Sequence, residues 1–477
     1  MKKLLLFLLL TCKSTLFSQT ILTSFPLDLK NSKENIQSLS VENVRTHDVF
    51  VFATDDNNIT ILKYNSALFL TNQYTGPLKT LAYKSLIGYS FSEDGNPTLY
   101  WSSEGFKNIL VIKYYLESKT HKILNFTFPF ASQYVVTQFQ NNNLFHILAK
   151  DRFKQALIVY TFRDEKVEQK IIDFSSFNFQ DENTQFVTFN QIIGRNPIEK
   201  IEIDEYNPLF KSTKKSKVYM LKDHIILTLD HNPKKTQVFD INLESHDLTE
   251  KNFTQSSIQD PKKITNSFYQ EDKLYQITAS ESELLLDIKD YNSSQTIKSI
   301  KVSKNDTIHF KNSPLVIQKD NRKPTELKKT KKFLKHLYLL DIGLSVFKNK
   351  QNTFITVGGT PKTVDLSYLD YTLFEEDFAP IYQSESVYFE SILDSNFEFL
   401  HQEEQPLAID NILYFLSLNK KVTSKNILKY KDYYILGYYD NTAKQYVMRK
   451  FTDGFNWENQ YLIPKSIFFS KSSPNGN

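Results

Sequence analysis

Cysteine is all but absent. Cys12 is the only one in 477 residues and lies near the start of the chain, so downstream of it there is no thiol nucleophile, no thiolate metal site and no intrachain disulfide. Glycine (11) and proline (15) are scarce as well, which excludes collagen-like or linker-dominated chains and leaves most turns to Asn, Asp, Ser and Lys. Long apolar runs are missing too. The longest at the start of the chain, Leu4 to Leu10, falls well short of the ~20 residues needed to cross a bilayer as a helix. Charge of one sign is not in excess either: 58 basic against 54 acidic residues give +4, so composition makes no case for nucleic acid as a partner.

What the chain does have is apolar and aromatic mass. Hydrophobic residues make up 40% and aromatics 14%, with 38 Phe and 27 Tyr, enough to build a large core without cross-links. The first 18 residues carry Lys2 and Lys3, an apolar stretch and then small and polar residues up to Ser18 and Gln19, the layout of a secretory signal peptide. The mature chain is then expected to be residues 19–477, exported to periplasm, cell surface or medium. "LLTC" at Leu9 to Cys12 resembles the lipobox of bacterial lipoproteins, and that resemblance implies a lipid anchor at Cys12; the alternative is that Cys12 leaves with the signal.

A repeat organises the rest. "IKYYLESKTHKILNF" (112–126) and "VYTFRDEKVEQKIIDF" (159–174) each hold an apolar run, a charged middle and a second apolar run ending in Phe, and those Phe residues are 48 positions apart. Val238 to Phe253 and Leu285 to Val302 match them, with starts 47 positions apart. Within each unit the runs are five to seven residues long and separated by polar turn clusters, as in "HDVFVFATDDNNITILKY" from His47. Paired hairpins at such a spacing predict four antiparallel strands per unit. The expected fold is all-β, a single β-propeller of about seven four-stranded blades, with six or eight as alternatives. The units fall near 40–80, 85–128, 132–176, 215–255, 265–303, 335–365 and 408–455, and the segments 177–214, 304–334 and 365–407, which do not fit the period, are expected to be insertions between or within blades, or degenerate blades. "KPTELKKTKKFLKHLYLL" is expected to form one short amphipathic helix near 325–340, with Leu327, Leu334, Leu337 and Tyr338 inward and Lys328, Lys329, Lys332 and Lys335 outward.

No catalytic motif stands out. The nine histidines show no metal-ligand spacing and there is no His-Glu-x-x-His, so neither metal nor cofactor is expected. No Gly-x-Ser-x-Gly occurs, and Gly358-Gly359 in "VGGTPK" is expected to make a hairpin turn. "SEDGNPTL", with Ser92, Asp94 and Thr98, and "TDGFNW", with Asp453, Gly454 and Trp457, resemble the Asp-box turns of sialidase-type and other propellers; the resemblance implies structural turns. Two carboxylate groups, Glu375-Glu376-Asp377 and Glu403-Glu404, are candidate acid and base residues if the chain cleaves glycosides.

Two surfaces are candidates for binding. Tyr433, Tyr434, Tyr438 and Tyr439 crowd two strands and offer flat rings with polar tips for a sugar or protein, the alternative being that they pack inside a blade. Lys328, Lys329, Lys332 and Lys335 form an anion-binding patch or simply the solvated face of a helix, and the cluster "KSTKKSKVY" from Lys211 has the same two readings. The sequence therefore points to an exported envelope protein acting as a binding or interaction propeller for a glycan or an envelope protein. A carbohydrate-active hydrolase or lyase using channel carboxylates and an outer-membrane assembly component are the alternatives.

Overall fold

The computed structural model describes residues 19–29, 37–78, 83–163, 165–245, 247–258, 260, 262–319, 323–349, 351–362, 385–402 and 406–454. Its strands form seven sheets of four or five strands, besides one two-stranded ribbon. Blade one is Gln37–Glu42, Val49–Thr54, Asn58–Tyr64 and Leu70–Pro77, each strand antiparallel to the next. Blade two is Tyr83–Phe91, Pro97–Ser103, Asn108–Tyr115 and Thr120–Thr127. Blade three is Gln133–Asn141, Leu144–Asp151, Ala156–Arg163 and Lys166–Asp173. Blade five is Ile264–Gln270, Lys273–Ala279, Glu283–Asp290 and Thr296–Ser303. The four repeated segments of the sequence are the third and fourth strands of blades two to five.

Burial orders each blade from axis to rim. First strands of successive blades meet one another, as Ile264–Gln270 meets Asp341–Lys348, so they line the centre. Second and third strands are buried on both faces between neighbouring sheets, as in Leu144–Asp151 and Ala156–Arg163, and so read as unbroken apolar runs. Fourth strands such as Thr120–Thr127 are mostly exposed and form the rim.

Few glycines are available for the hairpins, and other residues take the left-handed conformation instead. Asn142 and Asn143 (φ 48° and 64°) turn blade three, while Glu271 and Asp272 (44° and 55°) turn blade five. Aspartate side chains fasten further turns, as Asp440 Oδ1 does by accepting from the Thr442 and Ala443 amides at 2.8 and 3.0 Å.

Blade seven closes the ring. Val422–Tyr430, Tyr433–Asp440 and Gln445–Phe451 come from the end of the described chain, and the fourth strand is Gln19–Pro26 from its beginning, with Phe25 opposite Tyr446. Tyr446 OH hydrogen-bonds Ser40 Oγ on blade one, and Tyr430 OH donates to the Ser66 carbonyl at 2.8 Å.

Several expectations are corrected. Residues 408–418, expected to open a blade, form the helix Ala408–Leu418, which packs its apolar face on blade seven; an apolar run without period two fits either state. Helix near 325–340 is confined to Thr330–Tyr338, because Thr325–Glu326 pairs as a strand with Val316–Lys319. It is one of four α-helices among the described residues, with Phe189–Arg195, Leu209–Ser212 and Ala408–Leu418. Segments 304–334 and 365–407 are not wholly outside the period, for they supply Val316–Lys319 and Glu385–Leu393 to blade six beside Asp341–Lys348 and Thr353–Thr360. Gly358 and Gly359 lie inside the strand Thr353–Thr360 rather than in a turn. The signal segment with Cys12, and Glu375, Glu376, Asp377, Glu403, Glu404 and Trp457, lie outside the described residues.

Candidate functional site

Blade four carries an extra strand. Ser216–Met220, His224–Asn232, Lys235–Asn242 and Leu248–Thr254 make the usual four, and Ile198–Ile201 pairs in parallel on the inner edge, inside the ring. The chain then crosses the centre and returns. Gln270 of blade five donates to the Ile203 carbonyl (3.1 Å), Lys429 of blade seven to that of Asp204 (3.0 Å), and Ser345 of blade six to that of Asn207 (2.5 Å). Asn207, 1% exposed, holds this loop by accepting from the Glu202 amide (2.9 Å) and donating to the Glu202 and Glu205 carbonyls (2.6 and 3.0 Å). Tyr206 OH reaches Thr356 Oγ1 at 3.2 Å, and Thr213 Oγ1 shares a hydrogen bond with Thr360 Oγ1 at 2.9 Å. The segment 198–213 thus leaves blade four, crosses the centre and is bonded to blades five, six and seven. A strand glycine makes room for it: a Cβ on Gly343 would lie 2.8 Å from the Thr213 backbone, whereas one on Gly358 would first meet the Val387 carbonyl and Tyr388 Cβ of its own sheet.

Beside the channel, blades four, five and six are joined by a buried polar cluster. Lys217 Nζ donates to Asp230 Oδ2 (3.0 Å), Asn266 Oδ1 (2.7 Å) and the Lys214 carbonyl (2.6 Å). Asp230 also accepts from Thr236 Oγ1 (2.7 Å), Ser267 Oγ (2.8 Å) and the Ser267 amide (3.0 Å). Asn266 Nδ2 completes the junction by donating to the Thr213 and Ile342 carbonyls at 2.8 and 2.7 Å. Burial alone would raise the Asp230 carboxyl, but Lys217, Lys215 and the Thr236 hydrogen bond outweigh it and hold it below the usual range. With every donor and acceptor of the pair engaged, its role is to lock three blades together.

Above this cluster opens a cleft of about 570 Å³ where the inner strands of blades four to six begin. Arg195, Lys215, Lys263 and Lys362 supply cations; Asp181, Glu182, Asp341 and, at its floor, the Lys217-paired Asp230 supply carboxylates; His231 lines the wall. Lys215 Nζ donates to the Thr265 carbonyl, and burial pushes its ammonium below the ordinary lysine range, with Asp230 opposing that shift. Burial also lowers His231 to about 4, leaving it neutral at pH 7. The cleft can therefore hold a polar ligand with anionic groups, met by the partly buried Lys215 and Lys263 and by the exposed Arg195 and Lys362.

The sequence-based candidates are dispersed. Tyr438 and Tyr439 are buried: Tyr438 packs on Phe415 with centroids 5.7 Å apart, and Tyr439 OH donates to the Leu27 carbonyl at 3.0 Å. Tyr433 and Tyr434 are half-buried, Tyr433 under Lys450 Nζ (4.4 Å from its centroid) and Tyr434 with its OH 3.4 Å from the Asp204 carbonyl of the channel segment. Lys328, Lys329, Lys332 and Lys335 are exposed, but only Lys332 and Lys335 lie on the helix; Lys328 precedes it and Lys329 is its extended N-cap residue. Ser92 and Asp94 make the expected structural turn, with Ser92 Oγ donating to Asp94 and Gly95 at φ 76°. Among the described residues no group of three or more His, Cys, Asp or Glu is placed to hold a metal ion.

Lys217, Asp230 and Asn266 were missed as a unit. Within "KSTKKSKVYM" Lys217 looks like its half-buried neighbours Lys211, Lys214 and Lys215, and the only signal is its place between Ser216 and Val218 at the start of an apolar strand.

No protein-family model and no curated protein matches the chain. Solved structures do match at low identity. The WD40 domain of SCAP from fission yeast aligns over 91% of this chain and 98% of its own, at 10% identity and TM-score 0.30. The Swd1 β-propeller domain from Myceliophteria thermophila aligns over 90% and 100%, at 8% and 0.29. An ACO/RPE65 chimera aligns over 54% of this chain and 58% of its own length, at 11% and 0.27. Likenesses this weak carry no argument beyond themselves, and the propeller assignment rests on strand order, burial and ring closure.

Proposed function

We propose that the protein is an exported envelope component that binds an acidic glycan at the cleft over the plugged channel, and that it holds this ligand without cleaving it. One observation carries the reading: Arg195, Lys215, Lys263 and Lys362 converge on a single concave site at the entrance of three blades, beside the acids Asp181, Glu182 and Asp341 and an Asp230 already paired with Lys217. The leader with Lys2, Lys3 and Leu4 to Leu10 supports export. A hydrolase working inside the channel is disfavoured because the segment 198–213 occupies that space, and the carboxylates there, Glu202, Asp204 and Glu205, belong to the plug.

The test is titration of purified protein with short oligogalacturonates followed by calorimetry. Arg195→Ala and Lys263→Ala should each weaken binding by roughly tenfold, the effect of losing a charge-assisted hydrogen bond of about 1.4 kcal/mol. Unchanged affinity in both variants overturns the assignment of the cleft.

A further inference from the structure

The helix Thr330–Tyr338 packs at the junction of blades five and six, on Lys273–Ala279 of one and on Asp341–Lys348 and Glu385–Leu393 of the other. Phe333, Leu334 and Leu337 are buried against that junction. At its outer end, Lys328, Lys329, Thr330 and Lys331 line a second cleft of about 420 Å³ together with Lys304 and Lys311; the acids there are Asp306 and Glu326. At its inner end the chain passes directly into Leu340, Asp341 and Ile342, which line the central cleft. The two concave sites are therefore joined by one helix of nine residues, roughly 13 Å at 1.5 Å per residue.

The helix and the residues leading into it are cationic, with Lys332 and Lys335 between the clefts and Lys328, Lys329 and Lys331 at the outer one. Lys328, Lys329, Lys331, Lys332 and Lys335 are all exposed, and among the described residues none of them forms an ion pair. The nearby carboxylate Glu385 is already engaged by His336 and, at 3.0 Å, by Lys319. The helix start adds to the effect: it has no side-chain cap and no acid in its first turn, so its backbone amides and dipole also favour an anion. Like charges held this close repel one another, and a ligand bearing regularly spaced anions along its length relieves that repulsion at every position.

We propose that the central cleft, the lysine face of Thr330–Tyr338 and the outer cleft form one continuous track for a linear polyanionic glycan. This inference rests on the acidic-glycan reading of the central cleft and extends it: the ligand is a polymer, and its length contributes to affinity through added contacts on one chain.

The test compares digalacturonate with a long oligogalacturonate on the full mature chain, for wild type and for Lys328→Glu/Lys329→Glu/Lys331→Glu. These lysines are exposed, so the folded structure should survive, and circular dichroism verifies it. Wild type should bind the long oligomer at least roughly tenfold more tightly than the dimer. The triple variant should lose that gain while its affinity for the dimer is unchanged. Equal affinity of wild type for both lengths, or a retained gain in the variant, overturns the track but leaves the central cleft standing. Failure of wild type to bind either overturns both readings. Duplex DNA of matched charge binding as tightly as the oligomer overturns the glycan as the polymer.

Discussion

Lys217 Nζ lies 3.0 Å from Asp230 Oδ2, and neither side chain is exposed at all. Because the pair is fully buried, removing one partner strands the other charge in the interior. Asp230→Asn is expected to destabilise the fold by about 3–5 kcal/mol, whereas replacing both residues by apolar ones of similar volume should cost far less. Urea unfolding of the two variants checks this; a larger loss in the double variant would mean that the surrounding hydrogen bonds, not the charge, dominate.

The channel segment depends on missing side-chain atoms. Gly343→Ala places a methyl carbon 2.8 Å from both the Thr213 Cα and its backbone nitrogen, so backbone must move, at a cost of about 1–3 kcal/mol. Gly194 lies in the helix Phe189–Arg195 with nothing within 4 Å of its would-be Cβ, and Gly194→Ala should stabilise by about 0.5–1 kcal/mol. Denaturation midpoints of the two substitutions should move in opposite directions.

A buried histidine gives the fold an acid sensitivity. His146 is 5% exposed, stacks on Phe139 (4.8 Å) and hydrogen-bonds Thr161 Oγ1 at 3.0 Å; burial lowers it to about 4. The unfolded chain takes up this proton below about pH 6.5 and the folded chain only near 4. Stability therefore falls as pH drops from about 6.5 to 4, by up to about 3 kcal/mol from this residue, and levels off below. His146→Gln should flatten that part of the curve, read from chemical denaturation across the range.

Ring closure makes the early chain structural. Gln19–Pro26 covers the edge of Gln445–Phe451, and deleting residues 19–26 exposes that edge. The deletion should lower the thermal midpoint and promote association, measured by calorimetry and light scattering; an unchanged midpoint would show the closure to be dispensable.

Legibility in the sequence followed the physics of each layer. The third and fourth strands repeated visibly because second and third strands are buried on both faces while the fourth alternates, so Ala156–Arg163 and Lys166–Asp173 carry distinct patterns. Ala408–Leu418 reads equally as strand or helix in sequence because its short apolar run Ile412 to Leu416 fits either state. The channel segment left no trace: its bonds join Asn207 to Ser345, 138 positions away, and Asp204 to Lys429, 225 away. The lysines of 328–335 are visible in the sequence as a cluster, but their link to a second cleft needs Lys304 and Lys311 from the segment that follows blade five.

The most direct measurement is a glycan-array screen of the mature protein from Gln19 onward, with the retained glycans then examined for cleavage products. Selective retention of acidic glycans, released intact, is the predicted result. Cleaved products, or retention only of neutral glycans, would contradict the account.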